Sequence, residues 1–217
     1  MARVSQAHLD ARRRQILDGA ARCFARNGFH ATSMQDVLKE VDLSAGAVYR
    51  YFSGKEELIE AIVTEVLGTV RDMYERAALE SPPPMPDELI VRTLTHMTQG
   101  RSAVGEDGEW LFPRLMIQVW AETLRNEQLS ATLSEGFGKV RAAWVKVVAR
   151  YQETGMMRDD VDPDAVVRTL MATAQGLGAQ YALFGGFPHE ALRAGMRGLL
   201  SMREASGDIG NQSVKSE

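Results

Sequence analysis

Apolar residues recur at spacings of three and four along almost the whole chain, and no segment shows the sustained alternation of a half-buried strand. In the first such segment, Ile16, Leu17, Ala20, Cys23 and Phe24 would form one apolar face of a helix over about residues 8–26. With 217 residues, the chain is long enough to bury a sizeable core. The pattern therefore predicts an all-α protein.

Two short helices are predicted to follow this first one. Thr32 to Gln35 form a capping-box pattern that would start a helix over about residues 33–40, and Ser44 would cap a third helix over residues 45–51. Ser53 to Glu56 form a second capping-box pattern before a long fourth helix that reaches about residue 79. A second and a third helix joined by a tight turn are typical of a helix-turn-helix.

A proline-rich segment at residues 81–86 interrupts the helical pattern, because proline lacks an amide donor and clashes with the preceding turn. Further helices are predicted over about residues 87–101, 109–125, 126–153, 162–184 and 188–202. We therefore expect an N-terminal three-helix bundle with a helix-turn-helix at residues 8–55, joined by the long helix to a larger helical domain at residues 56–205. Residues 206–217 are polar and are expected to form a flexible tail.

Small residues occupy the start of the third helix, which is the end that a recognition helix inserts into the major groove. Small side chains allow a close approach, alanine methyls can touch thymine methyls, and a serine can hydrogen-bond to a base or a phosphate. Tyrosine hydroxyls, Arg50 and Lys55 can bind phosphate oxygens. The candidate DNA-contacting residues are Thr32, Ser33, Gln35, Ser44, Ala45, Gly46, Ala47, Tyr49, Arg50, Tyr51 and Lys55.

Three of these residues have an alternative interpretation. Tyr49 could pack in the core of the three-helix bundle, and Arg50 could be merely solvated. Thr32 is first a helix cap, although a cap can also contact phosphate. Three consecutive arginines at residues 12–14 lie where an N-terminal arm could reach the DNA.

Charge is unevenly divided along the chain. Residues 1–58 hold nine basic and seven acidic side chains, whereas the remainder holds sixteen basic and twenty-two acidic ones. A mildly basic first segment on an acidic body is compatible with binding a polyanion through one end. A non-specific architectural DNA-binding protein would normally be strongly basic, and the net charge here is −4.

Over roughly residues 12–67 the sequence resembles the TetR family of bacterial transcriptional regulators. The resemblance is carried by Ile16-Leu17-Asp-Gly-Ala20-Ala21, Phe24-Ala-Arg-Asn-Gly28-Phe29, Ala31-Thr32-Ser33-Met34 and Val48-Tyr49-Arg-Tyr51-Phe52-Ser-Gly-Lys55-Glu-Glu-Leu58. It implies DNA contacts at the positions of Thr32, Gln35, Ala45, Tyr49 and Lys55. It also implies that the larger domain is a ligand-binding and dimerisation domain with a cavity among its helices.

Aromatic and methionine side chains in the larger domain are the candidates for this cavity. A largely apolar small-molecule effector would suit such a set, with a few polar groups fixing its orientation. The candidate ligand-binding residues are Trp110, Met116, Trp120, Trp144, Met171 and Gln175. Further candidate polar groups are His96, Gln99, Gln118 and Glu122. For any one of the apolar residues, ordinary core packing is the alternative.

Small residues four apart on the helix over 162–184 would let another helix approach closely. Together with the last helix they suggest a four-helix bundle formed with a second copy of the chain. The candidate residues of this homodimer interface are Leu170, Ala174, Gly178, Tyr181, Leu192, Met196 and Leu199. Packing within one chain is the alternative.

Other classes of protein have little support in the sequence. The four histidines show no spacing typical of metal ligands, and no nucleophile–base set, paired carboxylates or cofactor loop is visible, so neither a metal, a cofactor nor an enzymatic activity is expected. One cysteine, no apolar run of about 20 residues and no secretory signal indicate a cytoplasmic protein that does not enter a membrane. We expect a ligand-released repressor that binds an inverted-repeat, double-stranded DNA operator as a dimer. The alternatives are a helical enzyme with its site in the cavity and a non-specific DNA-binding protein.

Overall fold

The computed structural model describes residues 6–98, 111–185 and 189–201, and these residues form helices joined by turns, with no strand among them. The helices are α1 (Gln6–Asn27), α2 (Met34–Val41), α3 (Ala45–Tyr49), α4 (Lys55–Ala77), α5 (Pro86–Thr98), α6 (Leu111–Thr123), α7 (Glu127–Glu153), α8 (Pro163–Phe184) and α9 (His189–Leu200). The prediction of an all-α protein is confirmed. The predicted end of α5, start of α6 and both ends of α9 lie at or beyond the edges of the described residues.

The turn between α1 and α2 closes through Gly28, whose positive φ of 83° is a backbone conformation that glycine adopts easily. Its amide donates to the carbonyl of Phe24 at 2.9 Å, which ends α1. The Thr32 hydroxyl then donates to the carbonyls of Gly28 at 2.7 Å and Cys23 at 3.2 Å. Thr32 therefore stabilises the end of α1.

This role of Thr32 corrects the predicted cap of α2. The N-cap is Ser33, whose hydroxyl accepts from the Asp36 amide at 3.2 Å, while the Asp36 carboxylate accepts from the Ser33 amide at 2.9 Å. The capping box thus lies one residue later than predicted. The capping box does not begin at Thr32 because the Thr32 side chain is buried and its hydroxyl is already bonded to the end of α1.

Two other helix ends differ from the prediction. The helix α3 begins after its predicted cap, Ser44, but ends at Tyr49 rather than at residue 51. The N-cap of α4 is Gly54, which has no side chain that could accept a hydrogen bond from the first turn of the helix. The carboxylate of Glu57, rather than that of Glu56, accepts from the Ser53 amide at 2.7 Å and the Ser53 hydroxyl at 2.8 Å.

One hydrophobic core connects the two parts of the chain, because α4 contributes to both. Near its start, Leu58 and Ile59 are fully buried, and near its end Tyr74 and Ala77 are buried. The helix packs along α7 and also contacts α1 and α5. A movement of α4 would therefore displace residues packed against it in both the helix-turn-helix and the larger helical part.

Candidate DNA-binding surface and ligand cavity

The start of α3 is exposed and made of small residues. Ser44, Ala45 and Gly46 are exposed, and the Ser44 hydroxyl accepts from the Ala47 amide at 3.3 Å. The core side of this helix is Val48, which is completely buried. The geometry leaves one face of α3 free while the other holds it in the bundle.

The exposed face continues with two larger side chains. Tyr49 is 50% exposed, so packing in the core, the alternative considered for it, does not describe this residue. Arg50 is exposed as well, whereas Tyr51 and Ala47 are half-buried and Tyr51 packs against the core. The first turn of α2 adds the exposed residues Ser33 and Gln35.

The structure corrects the assignment of Thr32 as a DNA-contacting side chain. Its side chain is only 1% exposed, and its hydroxyl points to the end of α1. The arginines at residues 12–14 also differ from the predicted arm, because they lie within α1. Arg13 binds Glu65 of α4 at 3.4 Å and lies 5.4 Å from the centre of the Phe52 ring.

Lys55 has a structural role at the base of this surface. Its ammonium donates to the carbonyls of Phe29 at 3.1 Å and Thr32 at 3.4 Å, and lies 4.6 Å from the centre of the Phe29 ring. Lys55 therefore ties the start of α4 to the turn before α2. An ammonium has three N–H donors, so one donor is left for another acceptor.

Ion pairs that were not predicted from the sequence hold α2 against α1. Glu40 accepts from Arg22 at 2.6 Å and also from Arg26. Burial alone would raise the pKa of Glu40, but the hydrogen bonds and charges of the two arginines outweigh it and hold this pKa below its usual range. Burial, with the nearby charge of Glu40, raises the pKa of the Cys23 thiol. Arginines four apart on α1 were the visible signal for such a pair.

A cavity of about 140 Å³ lies among five helices of the larger part. Residues of α4, α5, α6, α7 and α8 line it, and none of the described lining residues is charged. These residues are Ile62, Val63, Val66, Leu67, Val70, Tyr74, Thr93, Phe112, Leu115, Met116, Val119, Trp120, Leu133, Phe137, Val140, Trp144, Met171, Ala174 and Gln175.

Five of the six candidate ligand-binding residues lie together on the wall of this cavity: Met116, Trp120, Trp144, Met171 and Gln175. The sixth, Trp110, and the polar candidate Gln99 lie outside the described residues. Residues of α4 also line the cavity, which was not predicted. The sequence signal for them was the stripe of apolar residues at helical spacing along α4.

Two polar side chains on the cavity wall, Tyr74 and Thr93, are bonded to each other. The ring of Tyr74 stacks on that of Trp144 with 4.6 Å between centres. Burial raises the pKa of Tyr74 to about 12, and a hydrogen bond with Thr93 partly offsets this effect. The Thr93 hydroxyl also donates to the carbonyl of Leu89 at 2.9 Å. In contrast, the indole nitrogen of Trp144 is buried and has no hydrogen-bond partner among the described residues.

A second, more polar pocket of about 480 Å³ lies between α1, α4, α5 and α6. Its wall includes Arg14 and Asp18 of α1, Glu65 of α4 and His96 of α5. The two pockets share apolar side chains, so the same part of α6 borders both.

The helix α6 also reaches the turn that precedes α2. His30 Nε2 lies 2.9 Å from an oxygen of Glu122, whose side chain is buried. The Gln118 side chain lies against Gly28, at 3.3 Å from the position that a Cβ would occupy there. The polar candidates Gln118 and Glu122 therefore contact the helix-turn-helix side rather than the cavity.

The candidate dimer residues are divided between interior and surface. Leu170, Gly178, Leu192 and Met196 are buried within the chain, and a Cβ at residue 178 would overlap Met116. These four residues are enclosed by their own chain, which favours the alternative of packing within one chain over the predicted dimer interface.

The other three candidates are less enclosed. Ala174 is half-buried on the cavity wall, Tyr181 is half-buried, and Leu199 is 69% exposed. The large apolar side chains exposed on the ends of α8 and α9 are Leu183, Phe184, Leu199 and Leu200.

A buried acid anchors α9 to α5. Asp87, in the first turn of α5, is completely buried, and one carboxylate oxygen binds Arg197 Nε of α9 at 3.0 Å. The other oxygen has no partner among the described residues. The residues 6–98, 111–185 and 189–201 contain no group of three possible metal ligands and no helix long and apolar enough to cross a membrane.

Two family profiles match this chain. Residues 16–62 match the family described as bacterial regulatory proteins, tetR family. Residues 107–202 match the C-terminal domain described as that of BetI-type transcriptional repressors. The matches cover the helix-turn-helix and most of the larger helical part.

Curated relatives agree with these profiles. The chain is 32% identical over 183 residues to the HTH-type transcriptional repressor Rv1474c of Mycobacterium tuberculosis, covering 84% of this chain and 88% of the relative. It is 26% identical over 191 residues to the HTH-type transcriptional regulator UidR of Escherichia coli, covering 86% and 87%.

Solved structures share the fold. Salmonella enterica GusR superposes with a TM-score of 0.67 at 27% identity, covering 93% of this chain and 100% of that one. FadR from Bacillus subtilis, in complex with stearoyl-CoA, superposes with a TM-score of 0.66 at 18% identity, covering 86% and 96%. The helix-turn-helix with its exposed α3, the larger helical domain and these relatives together establish that the chain belongs to the TetR family of DNA-binding transcriptional regulators.

Proposed function

We propose that this protein is a cytoplasmic, ligand-released repressor that binds an inverted-repeat DNA operator as a homodimer. The observation that carries the proposal is the exposed start of α3, where Ser44, Ala45 and Gly46 face outward from a helix fixed by the buried Val48. A recognition helix enters the major groove by this end. Regulation by release from DNA requires no chemical reaction, so we propose no catalytic activity.

The exposed side chains of α2 and α3 supply both kinds of DNA contact. Ser44 and the alanine methyls are suited to base edges, while Tyr49 and Arg50 are suited to phosphates. Gln35 at the start of α2 is exposed and is suited to the DNA backbone, whereas the amide and hydroxyl of Ser33 already donate to Asp36. Lys55 contributes its remaining N–H, and it also keeps the turn before α2 in place.

A dimer would present two such helices to one face of the duplex. Half-sites bound by helix-turn-helix dimers lie about one helical turn apart, roughly 34 Å. Each of α8 and α9 exposes two neighbouring large apolar side chains at its end, and exposed apolar surface commonly marks a protein contact. We therefore place the interface around Leu183, Phe184, Leu199 and Leu200, with Tyr181 at its edge.

Ligand binding would be coupled to DNA binding through helices shared by both sites. Residues of α4 and α6 line the 140 Å³ cavity, and α6 carries the Glu122 contact to His30. The FadR structure contains a bound stearoyl-CoA, which supports an effector with a large apolar part. By thermodynamic linkage, the operator must weaken ligand binding by the same factor by which the ligand weakens operator binding.

The alternative functions have less support. A helical enzyme in the cavity would need charged or nucleophilic groups on its wall, and the described lining has no charged residue. A non-specific DNA-binding protein would gain little from a large second domain with an apolar cavity.

Selection of bound duplexes from a random-sequence pool, followed by sequencing, tests the proposal. An enriched inverted repeat bound by a dimer is the expected result. Tyr49→Phe and Arg50→Ala should each weaken binding of the selected duplex about tenfold or less, while the dimer remains intact in sedimentation. Leu199→Glu should instead produce monomers. Recovery of no motif at low salt, where phosphate contacts are strongest, would overturn the proposal.

A further inference from the structure

The 140 Å³ cavity and the 480 Å³ pocket are separated only by side chains that line both. These shared residues are Ile62, Val66, Phe112 and Leu115. Where one side chain borders two spaces, the partition is no thicker than that side chain. Ile62 and Leu115 are buried, and the half-buried Val66 is a stiff β-branched residue in a helix. Phe112 is half-buried as well, and a change of its rotamer would join the two spaces.

The 480 Å³ pocket has an apolar and a polar side. Leu17 of α1 lines it together with the shared Ile62 and Leu115, and all three are buried. Arg14 and Asp18, one turn apart on α1, also line it, and they are exposed and half-buried. Arg14 can donate hydrogen bonds and Asp18 can accept them. The pocket therefore suits a polar group beside α1 and an apolar group beside the cavity.

The two spaces complement each other in size and polarity. A cavity of roughly 150 Å³ holds one benzene, a six-carbon molecule, in an engineered protein. The 140 Å³ cavity is of that size, and most of its described wall is apolar. A longer apolar chain would fill the cavity and continue past Phe112 into the pocket. Its polar end would then hydrogen-bond to Arg14, Asp18 or water, and would not be buried without a partner.

We infer that the pocket and the cavity are two compartments of one effector site, and that the effector is an elongated amphiphile. Its apolar chain enters the cavity past Phe112, and its polar end stays in the pocket against α1. This inference rests on the proposed ligand-binding function of the cavity. It adds a direct route of regulation, because α1 belongs to the DNA-binding part and packs against both α4 and α6 around this pocket.

Two alcohols of different length test the inference: hexanol matches the cavity alone, and decanol needs both compartments. Methionine methyl groups labelled with ¹³C report on each compartment, because Met97 lines the pocket and Met171 lines the cavity. The variants Met97→Leu and Met171→Leu assign the two signals. Hexanol should shift the Met171 signal. Decanol should shift both signals with one common dissociation constant, at least about tenfold lower than that of hexanol, because it buries more CH₂ groups.

Phenylalanine substitutions can fill one compartment at a time. Ala21 of α1 lines the pocket, Ala174 of α8 lines the cavity, and both are half-buried. Ala21→Phe should remove the advantage of decanol over hexanol while hexanol still shifts Met171, and Ala174→Phe should weaken the binding of both alcohols. Thr69→Phe fills the pocket from α4 and should give the result of Ala21→Phe if α1 does not tolerate the larger side chain.

The orientation of the ligand is tested with the diol that has the length of decanol and a hydroxyl at each end. One of its hydroxyls would have to enter the largely apolar cavity, so the diol should bind more weakly than decanol. Equal or tighter binding of the diol would contradict the inferred orientation.

The outcomes separate this inference from the function on which it rests. A Met97 signal that decanol does not move, or different dissociation constants at Met97 and Met171, would overturn the joined site even if the protein binds an operator. An unchanged advantage of decanol in Ala21→Phe and Thr69→Phe, or no shift with either alcohol, would overturn it as well. Decanol binding in both compartments without an effect on operator affinity would support the joined site and contradict release by ligand.

Discussion

His30 and Glu122 join the helix-turn-helix to the larger domain, with 2.9 Å between His30 Nε2 and a carboxylate oxygen of Glu122. The histidine lies in the turn between α1 and α2, and the glutamate lies near the end of α6, whose earlier residues line the 140 Å³ cavity. A single helix thus contacts both the cavity and the turn that positions α2.

Replacing Glu122 by glutamine should loosen this turn. A partly exposed pair contributes about 0.2–1 kcal/mol, so amide exchange of Gly28 should accelerate by up to about fivefold. Hydrogen exchange measured residue by residue checks this expectation. Glu75→Gln removes a surface pair between α4 and Lys146 of α7 and should leave Gly28 unchanged. Equal exchange at Gly28 in wild type and Glu122→Gln would show that the contact does not hold the turn.

The ion pairs of Glu40 should make the free energy of unfolding depend on pH in the acidic range. Burial opposes the charged form, but hydrogen bonds from Arg22 and Arg26 lower the pKa of Glu40 in the folded state. A carboxyl with a lowered folded pKa contributes stability above its unfolded value, near 4.3, and loses it as the pH falls through the folded value.

Glu40→Gln should therefore lower the free energy of unfolding by about 1–2 kcal/mol at pH 7. The difference from wild type should disappear as the pH falls below about 4. Urea unfolding at both pH values measures it. Glu135→Gln is the control, because Glu135 is exposed on α7 and pairs with the exposed Lys139 one turn away. A constant difference between wild type and Glu40→Gln down to low pH would contradict the ion-pair explanation.

The closeness of α1 and α2 depends on a glycine. A Cβ at residue 19 would overlap the side chain of Val41, whereas a Cβ at residue 68 of α4 would meet no atom within 4 Å. Gly19→Ala should lower the free energy of unfolding by about 1–3 kcal/mol, as overpacking does. Gly68→Ala should raise it by about 0.5–1 kcal/mol, because alanine favours a helix more than glycine. Denaturation of the two variants side by side provides the measurement, and a stable Gly19→Ala protein would mean that α2 can shift freely.

Because Asp87 is buried, its partner Arg197 should contribute more to stability than an arginine in a surface ion pair does. Arg197 and Arg168 have side chains with the same exposure, 61%, but Arg197 pairs with the fully buried Asp87 and Arg168 with the partly exposed Asp164. Removing a partner from a buried charge is much more costly than removing one from a surface pair.

Arg197→Met should therefore lower the free energy of unfolding by about 2–3 kcal/mol, and Arg168→Met by less than about 0.5 kcal/mol. The first value is set below the usual cost of breaking a buried pair because Arg197 is itself partly solvated. Asp87→Asn in the Arg197→Met protein should restore part of the loss. Similar losses in Arg197→Met and Arg168→Met would indicate that the burial of Asp87 does not matter.

Helical periodicity in the sequence was sufficient to predict the order of the helices. Periodicity succeeds there because a residue's place on a helix face follows from spacing alone. The grouping of Met116, Trp120, Trp144, Met171 and Gln175 had another source, namely the residue types of the larger domain and the cavity that the family resemblance implies.

Periodicity could not show which of two neighbouring hydroxyls caps α2. That depended on whether Thr32 was already bonded to α1, a contact across nine residues that no local pattern contains. The same limit applies to Gly178, whose small size accommodates Met116 of the same chain rather than another copy. Whether a hydroxyl caps a helix, or a glycine packs within the chain or against another copy, depends on contacts with residues outside the local sequence pattern.

Gly46 stands at the exposed start of α3 with no atom within 4 Å of the position that a Cβ would occupy. Any side chain introduced there would extend outward without displacing a neighbour, so the cost to the fold is small. The same is true in principle of the adjacent exposed Ala45. Sequence preference can thus diverge between descendants of this protein, or be redesigned, by single substitutions on α3, because the residues that would read the operator are separate from those that keep the helix in place.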